Sequence, residues 1–258
     1  MGGIDGLLLD IDGVLTVSWR PLPGAIETVE WLRQHRVPFR LITNTTTHTR
    51  EDLAATLRSA GIAVKAEEIV TAVVATAAYL RAHYPGARAF VLSDGNARTD
   101  LEGVTLVEEE ADVVVLGGAY EGFTYEALNR AFRMLMNGAK LVGMHRNLYW
   151  RTEEGWQLDG GAFIAALEEA AGRRAVVCGK PAAAYFESAL ATIGVTPQRA
   201  AMVGDDVVND VLGAQAVGLT GVLVRTGKFR AEDLERAPAA PDHVIDTIGS
   251  LPELIERL

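Results

Sequence analysis

Short apolar, β-branched runs closed by turn residues recur along this chain, and stretches of helical periodicity separate them. The runs cover residues 6–9, 37–43, 87–93, 112–117, 140–144, 175–179, 200–204 and 221–224. Strands of a parallel sheet read this way because helices bury both of their faces. Helical periodicity covers residues 25–35, 50–60, 67–83, 125–137, 161–171, 182–193, 209–217 and 249–258. Such alternation predicts an α/β fold with a parallel or mostly parallel sheet. The middle, residues 81–173, has strands and helices of its own and is entered through His83-Tyr84-Pro85-Gly86, a punctuated linker. It reads as a second domain inserted into the first. Residues 236–242, rich in alanine and proline, read as a surface loop before a last strand and helix. Neither a fixed-period repeat nor a low-complexity tract interrupts the pattern.

Composition narrows the partners. The 258 residues are 49% hydrophobic and 22% charged, close to globular averages. A net charge of −10 repels polyanions, so nucleic acid is not expected as a partner. The single cysteine, Cys178, cannot form an internal disulfide, and no Cys/His spacing suits structural zinc, which fits a reducing cytoplasm. The apolar stretch before Asp10 is too short for a signal peptide or a membrane span. A soluble cytoplasmic protein with no membrane partner is therefore expected.

The first run ends in Leu9-Asp10-Ile11-Asp12-Gly13-Val14-Leu15, two carboxylates two residues apart where a buried strand meets a turn. Ligands of open α/β sheets bind at that carboxyl end. Paired carboxylates repel at close range and invite a divalent cation, although solvated loop acids would look the same. Three further run ends carry reactive types. Residues 37–43 finish at Thr43-Asn44-Thr45-Thr46, suited either to a phosphate or to helix capping. Residues 175–179 finish at Lys180-Pro181, where the lysine is either a phosphoryl-neutralising group or a surface cation. Residues 200–204 finish at Asp205-Asp206, with Asp210 one turn on. One acid suffices for a helix cap, so a cluster of three points to a cation. If all four strands are parallel, these groups converge on one sheet edge, and the conjunction outweighs each part.

Phosphoryl transfer needs an in-line nucleophile, charge neutralisation and a proton for the leaving oxygen. In this reading Asp10 attacks phosphorus to give an aspartyl-phosphate, and Asp12 serves as general acid and then general base. Mg²⁺ is held by Asp10, Asp205 and a backbone carbonyl near Asp12, while Thr43, Asn44 and Lys180 hold the non-bridging oxygens.

Asp10-Ile11-Asp12-Gly13-Val14-Leu15, Thr43-Asn44, Lys180-Pro181 and Gly204-Asp205-Asp206 with Asp210 resemble, in order, the four motifs of the haloacid-dehalogenase superfamily. The middle segments Phe123-Thr124-Tyr125, Asn147-Leu148-Tyr149-Trp150 and Gly160-Gly161-Ala162-Phe163 are similar to the branch with a large α/β cap between the second and third motifs. That branch includes p-nitrophenyl, phosphoglycolate and pyridoxal phosphatases. Residues 147–151 and 225–230 most resemble phospholysine phosphohistidine inorganic pyrophosphate phosphatase-like members. The resemblance implies a doubly wound, Rossmann-like core at residues 1–80 and 174–258 and an inserted α/β cap at residues 81–173 that closes over the substrate. It further implies Asp10 as nucleophile, Asp12 as acid/base and main-chain metal ligand, Thr43 and Lys180 as phosphate holders, Asp205 as metal ligand, and Asp206 and Asp210 in support. Several members of the subgroup carry serine where this chain has Asp12, so their substrate is not transferred. Of the tandem acids, Asp205 is the metal ligand in this reading because it directly follows strand residue Gly204. A homodimer through the cap is the assembly that the resemblance suggests.

Plainer readings suffice elsewhere. Tyr149, Trp150 and Trp156 suit core or dimer contacts better than substrate stacking. His145, Arg146 and Asn147 end a cap strand and could reach a leaving group, but the sequence offers His145 no acid partner. Asp159-Gly160-Gly161 reads as a turn into a helix, Cys178 as a buried small hydrophobe, and Glu108-Glu109-Glu110 as a solvated face. The expected activity is thus Mg²⁺-dependent hydrolysis of a small phosphorylated metabolite. The rivals are a phosphate- and Mg²⁺-binding regulatory protein without turnover and a metal-independent dehalogenase. A dinucleotide-binding oxidoreductase is weaker, because no G-x-G-x-x-G follows the first strand.

Overall fold

The computed structural model describes residues 3–152 and 155–258, with the side chains of residues 150–152 and 155–156 outside that description. The chain divides into two compact units. The first comprises the chain up to Thr43, Glu51–Val70 and Lys180–Leu258; the second comprises Asn44–Arg50 and Thr71–Gly179.

The first unit carries a six-stranded sheet in the order His243–Ile245, Thr220–Val224, Ala200–Gly204, Gly6–Asp10, Phe39–Thr43, Ile69–Thr71. The first five strands pair in parallel, with Leu9 opposite Val203 on one side and Leu41 on the other. Read along the chain, the order runs outward from Gly6–Asp10 in one direction and then in the other. The crevice for a ligand in such a doubly wound sheet lies between the two central strands, here Gly6–Asp10 and Ala200–Gly204. Strand alternation sends Leu7, Leu9, Leu41, Val203 and Val222 into a core shared with Val29 and Leu32 of helix Ala25–Gln34 and with Leu53 and Leu57 of helix Arg50–Ser59. Leu8, Ile42 and Met202 point the other way and are equally buried. Helix Ala183–Ala191 packs on Gly6–Asp10 and Phe39–Thr43. Burial of both faces explains why these strands read as unbroken apolar runs.

The second unit has a five-stranded parallel sheet ordered Val176–Val177, Lys140–Gly143, Val113–Leu116, Arg88–Leu92, Thr105–Leu106. Ala89, Val91, Val113 and Val115 face a core with Val73, Ala77 and Leu80 of helix Ala72–His83. Phe90, Leu92, Val114 and Leu116 face the other core, with Met134 and Leu135 of helix Tyr125–Met136 and Ile164 and Leu167 of helix Gly160–Ala171. Thr71, Thr124 and Asp159 cap these three helices by accepting from the amides of Val74, Ala127 and Gly160. An antiparallel hairpin joins Tyr149–Thr152 to Gly155–Leu158.

Three expectations are corrected. The run 175–179 reduces to Val176–Val177 and pairs with Val142 and Gly143 in the second sheet, so it is not a strand of the first. Helical structure does not start at residue 67. Ile69–Thr71 is a buried strand, as suits a β-branched triplet, and the helix begins only at Ala72. The two compact units part between Val70 and Thr71 and after Gly179, while the sequence reading draws its bounds at residues 80/81 and 173/174. The stretch 209–217 opens as a π-helical segment, Val207–Leu212, before a short α-helix, Gly213–Gln215. Among the described residues, no helix is long and apolar enough to cross a membrane.

Candidate active site

Asp10 is the last residue of its strand and is 4% exposed. Asp205 follows Ala200–Gly204 on the adjacent strand, and Asp210 lies within the π-helical segment just beyond. One carboxylate oxygen from each of Asp10, Asp205 and Asp210 lies within 4.8 Å of the others, and all three residues are buried. Lys180 reaches this group although no strand of the first sheet carries it. Its Nζ lies 2.8 Å from Asp10 Oδ1 and 2.7 Å from Asp210 Oδ1. The Asp10 and Asp210 carboxylates hold the Lys180 ammonium well above the usual lysine range against the opposing effect of burial. It is therefore charged at every physiological pH.

Three carboxylates set against the Lys180 ammonium and the nearby charge of Lys228 still leave an excess of negative charge in a buried place, and the proton affinities record it. Burial first, then the Asp10 and Asp210 charges, push the Asp205 carboxyl up to about 8, against the pull of Lys228. Burial also raises Asp210 to about 6, with Lys180 opposing and Asp10 and Asp206 adding. Asp205 Oδ2 accepts from the backbone N–H of Lys228 at 2.7 Å, whereas Asp205 Oδ1 is buried with no hydrogen-bond partner among the described residues. A buried carboxylate oxygen without a donor costs about 1–3 kcal/mol, more when charged. Hard oxygen donors, one of them unsatisfied, fit a small divalent cation such as Mg²⁺.

Asp12 stands in the turn after the first strand and is half-buried. That turn closes through Gly13 N–H to Thr16 O, at 2.7 Å, and a bridge between Asp12 and Thr16. Gly13 has φ +87°, and a Cβ there would fall 1.9 Å from Asp205 Oδ2. Only glycine permits both the left-handed backbone and the close approach of Asp205.

Thr43 ends strand Phe39–Thr43 and is 2% exposed. Its N–H donates to Tyr185 Oη at 3.0 Å, and the Tyr185 hydroxyl can donate to Val70 O at 2.6 Å or Thr43 O at 2.9 Å. Tyr185 thus ties the tip of one strand to the next. Asn44 follows directly and is assigned to the second unit. Asp206 proves to be a cap. Its Oδ1 accepts from the amides of Val208 and Asn209 at 3.0 and 2.9 Å, and its Oδ2 from Asn209 Nδ2 at 2.8 Å. The tandem acids are therefore divided, Asp205 into the cluster and Asp206 onto the helix end.

Two groups have no site role in the sequence reading, although residues 225–230 carry part of its family resemblance. Tyr185 carries no motif signature; its only signal is an aromatic residue early in the helix after Lys180. The tripeptide Thr226-Gly227-Lys228 acts through a backbone amide and a missing Cβ, which residue type does not advertise.

In the second unit, His145 does have an acid partner, contrary to expectation. It is 3% exposed, its Nε2 lies 3.5 Å from Asp159 Oδ1, and its Nδ1 accepts from Asn147 N–H at 3.3 Å. Arg146 is engaged by Glu168 through two hydrogen bonds of 3.1 and 2.5 Å, which makes it structural. Burial pushes the Cys178 thiol up to about 12, as befits an inert core residue. Tyr149 is 60% exposed, and the side chains of Trp150 and Trp156 lie outside the described residues.

Residues 7–106 match the family model described as haloacid dehalogenase-like hydrolase, and residues 177–251 match one described as HAD-hydrolase-like. The chain is 37% identical over 255 residues to haloacid dehalogenase-like hydrolase domain-containing protein 2 of Homo sapiens, covering 99% of this chain and 96% of the relative. It is 34% identical over 261 residues to phospholysine phosphohistidine inorganic pyrophosphate phosphatase of Rattus norvegicus, covering 99% and 95%. Among solved structures, a 4-nitrophenylphosphatase from Thermotoga maritima superposes with a TM-score of 0.92 at 32% identity, over 98% of this chain and 97% of that one. A p-nitrophenyl phosphatase from Archaeoglobus fulgidus gives 0.91 at 29% identity, over 99% and 100%.

Proposed function

The chain belongs to the haloacid dehalogenase-like hydrolases, and from that premise we propose that it is a Mg²⁺-dependent phosphatase of a small phosphorylated metabolite, acting through an aspartyl-phosphate. The observation that carries this reading is the buried meeting of Asp10, Asp205 and Asp210 at the two central strand ends, with Lys180 as their counter-ion. The phosphatase names of a relative and of solved structures similar to the chain support it.

Asp10 is the nucleophile. Its carboxylate oxygen attacks phosphorus, the P–O bond to the leaving group breaks, and Asp12 donates a proton to the departing oxygen. Asp12 then accepts a proton from water, whose oxygen attacks the aspartyl-phosphate; inorganic phosphate leaves and the Asp10 carboxylate is restored. Lys180, held between Asp10 and Asp210, and Thr43, fixed by Tyr185, present positive charge and polar groups to the phosphoryl oxygens, with Asn44 the next residue in sequence. Mg²⁺ would be held by Asp10, by the unsatisfied oxygen of Asp205 and by the main-chain carbonyl of Asp12, and would supply charge neutralisation to nucleophile and phosphoryl group.

The test is phosphate release from p-nitrophenyl phosphate. Turnover is expected to need Mg²⁺, to vanish with chelator, and to be abolished in Asp10→Asn while the circular dichroism spectrum is kept. Near-wild-type turnover by Asp10→Asn, or turnover indifferent to chelation, overturns the assignment.

A further inference from the structure

We propose that the tripeptide Thr226-Gly227-Lys228 is a positioning clip for Asp205, which grips one carboxylate oxygen and turns the other toward the divalent cation. The inference rests on the metal reading given above and concerns residues to which that reading assigns no part.

The clip follows strand Thr220–Val224 and is anchored at both ends. Arg225 N–H donates to Ile245 O at 3.0 Å, and Phe229 packs against the core of Val207, Val211 and Leu223. Those valines flank Asp210, so the anchor and the acid cluster share one piece of backbone. Between the anchors, three contacts converge. The Thr226 hydroxyl donates to Gly13 O in the turn that follows Asp12. Lys228 N–H donates to Asp205 Oδ2 at 2.7 Å. Gly227, at φ +62°, sits so close that a Cβ would fall 2.1 Å from Asp205 Oδ2 and 2.3 Å from Gly13 Cα. Gly13 and Gly227 thus close on Asp205 Oδ2 from two loops, and the hydroxyl of Thr226 holds those loops together.

The consequence is an asymmetry between the two oxygens of one carboxylate. Oδ2 is walled in and hydrogen-bonded, and Oδ1 is buried without a hydrogen-bond partner among the described residues. A side chain with one oxygen fixed has little freedom to swing, so the cation meets a preset donor; supporting contacts of this kind carry much of a metal site's affinity. Gly227 is itself exposed, where a glycine is ordinarily replaceable. Its intolerance of a side chain comes from its left-handed backbone together with the close approach of Asp205 and Gly13.

Calorimetric titration of the metal-free protein with Mg²⁺ tests this directly. Gly227→Ala and Thr226→Val are expected to weaken Mg²⁺ binding by about 10–100-fold, and Thr226→Ser to restore it. Circular dichroism and, at saturating Mg²⁺, the KM for p-nitrophenyl phosphate should stay at wild-type values, which a general loosening of the fold would not allow. If Gly227→Ala does not fold, Thr226→Val and its serine rescue decide. Wild-type Mg²⁺ affinity in Thr226→Val and in folded Gly227→Ala overturns the clip. Failure of the wild-type protein to bind Mg²⁺ instead overturns the metal reading beneath it.

Discussion

Replacing Tyr185 by phenylalanine isolates one oxygen atom. The ring is 1% exposed and stays in place, so no cavity opens and no apolar burial is lost. What disappears is the acceptor for Thr43 N–H at 3.0 Å and the donor to Val70 O at 2.6 Å. Loss of the donated bond costs about 1 kcal/mol, and stranding a buried N–H costs about 1–3 kcal/mol. The sum, roughly 2–4 kcal/mol, is a large share of the ~5–15 kcal/mol that holds a domain folded. Equilibrium urea unfolding should show it as a lower midpoint with an unchanged m-value, because the surface exposed on unfolding is the same. Thr43 is the residue released, so kcat/KM for p-nitrophenyl phosphate should fall as well. A stability change below about 0.5 kcal/mol, the ordinary level for an indifferent substitution, together with an unaltered kcat/KM, would show that Tyr185 does not hold this strand tip.

Two further outcomes are expected. Asp12→Asn should lower kcat by about 10²–10⁴-fold, the usual worth of a general acid–base group, with Mg²⁺ affinity retained because asparagine keeps the main-chain carbonyl; retention of kcat in a pH-rate profile would remove Asp12 from the mechanism. The second concerns pH. Asp205 is raised from 3.8 to about 8 in the folded, metal-free protein, so between those values the native state holds a proton that the unfolded chain has released. The stability this confers is present below about pH 4, declines as pH rises, and is gone above about pH 8. Melting of the metal-free protein should therefore shift downward from pH 5 toward pH 8, and the stabilisation by added Mg²⁺ should grow over the same range; a melting temperature that rises with pH in chelator would contradict the buried, proton-retaining Asp205.

The acids at the strand ends were legible because buried parallel strands leave a plain apolar signature and their carboxyl ends are where ligands gather. What stayed hidden was pairing and direction. Val176-Val177 has the same pattern whichever sheet it joins, and its choice of Val142 and Gly143 depends on which edge the second sheet leaves open. Lys180 reaches Asp10 all the same, because the chain enters the first unit there and the ammonium at the end of its stem finds the acids. Ile69-Val70-Thr71 was masked by the helical pattern on either side of it. Asp205 and Asp206 are indistinguishable as letters; only the geometry of leaving the strand sends one inward and the other onto the amides of the following turn. The roles of Tyr185 and of the clip stay hidden for a deeper reason, since their contributions are a hydroxyl's reach, a backbone amide and the absence of a Cβ.

These hidden parts bear on why so costly an arrangement persists. Through the strands and helices of the first unit's core local preference and burial agree: apolar strands lie under apolar helix faces, and Asp206 caps the turn that it begins. At the tips of the two central strands they conflict. Three acids are buried where burial disfavours their charge, Asp205 keeps one oxygen without a donor among the described residues, and Gly13 and Gly227 take left-handed backbone to make room for the other. A buried ion pair seldom outperforms well-packed apolar residues of the same volume, so Lys180 with Asp10 and Asp210 is weak as a device for stability. Such a local conflict in an otherwise consistent fold marks a place shaped for chemistry. A cation that binds only the folded state reverses the balance, because its binding free energy adds to stability while it neutralises the repulsion that made the site costly. The fold and the proposed reaction would then draw on the same ion, which accounts for acids that neither a helix cap nor a lysine partner can fully explain.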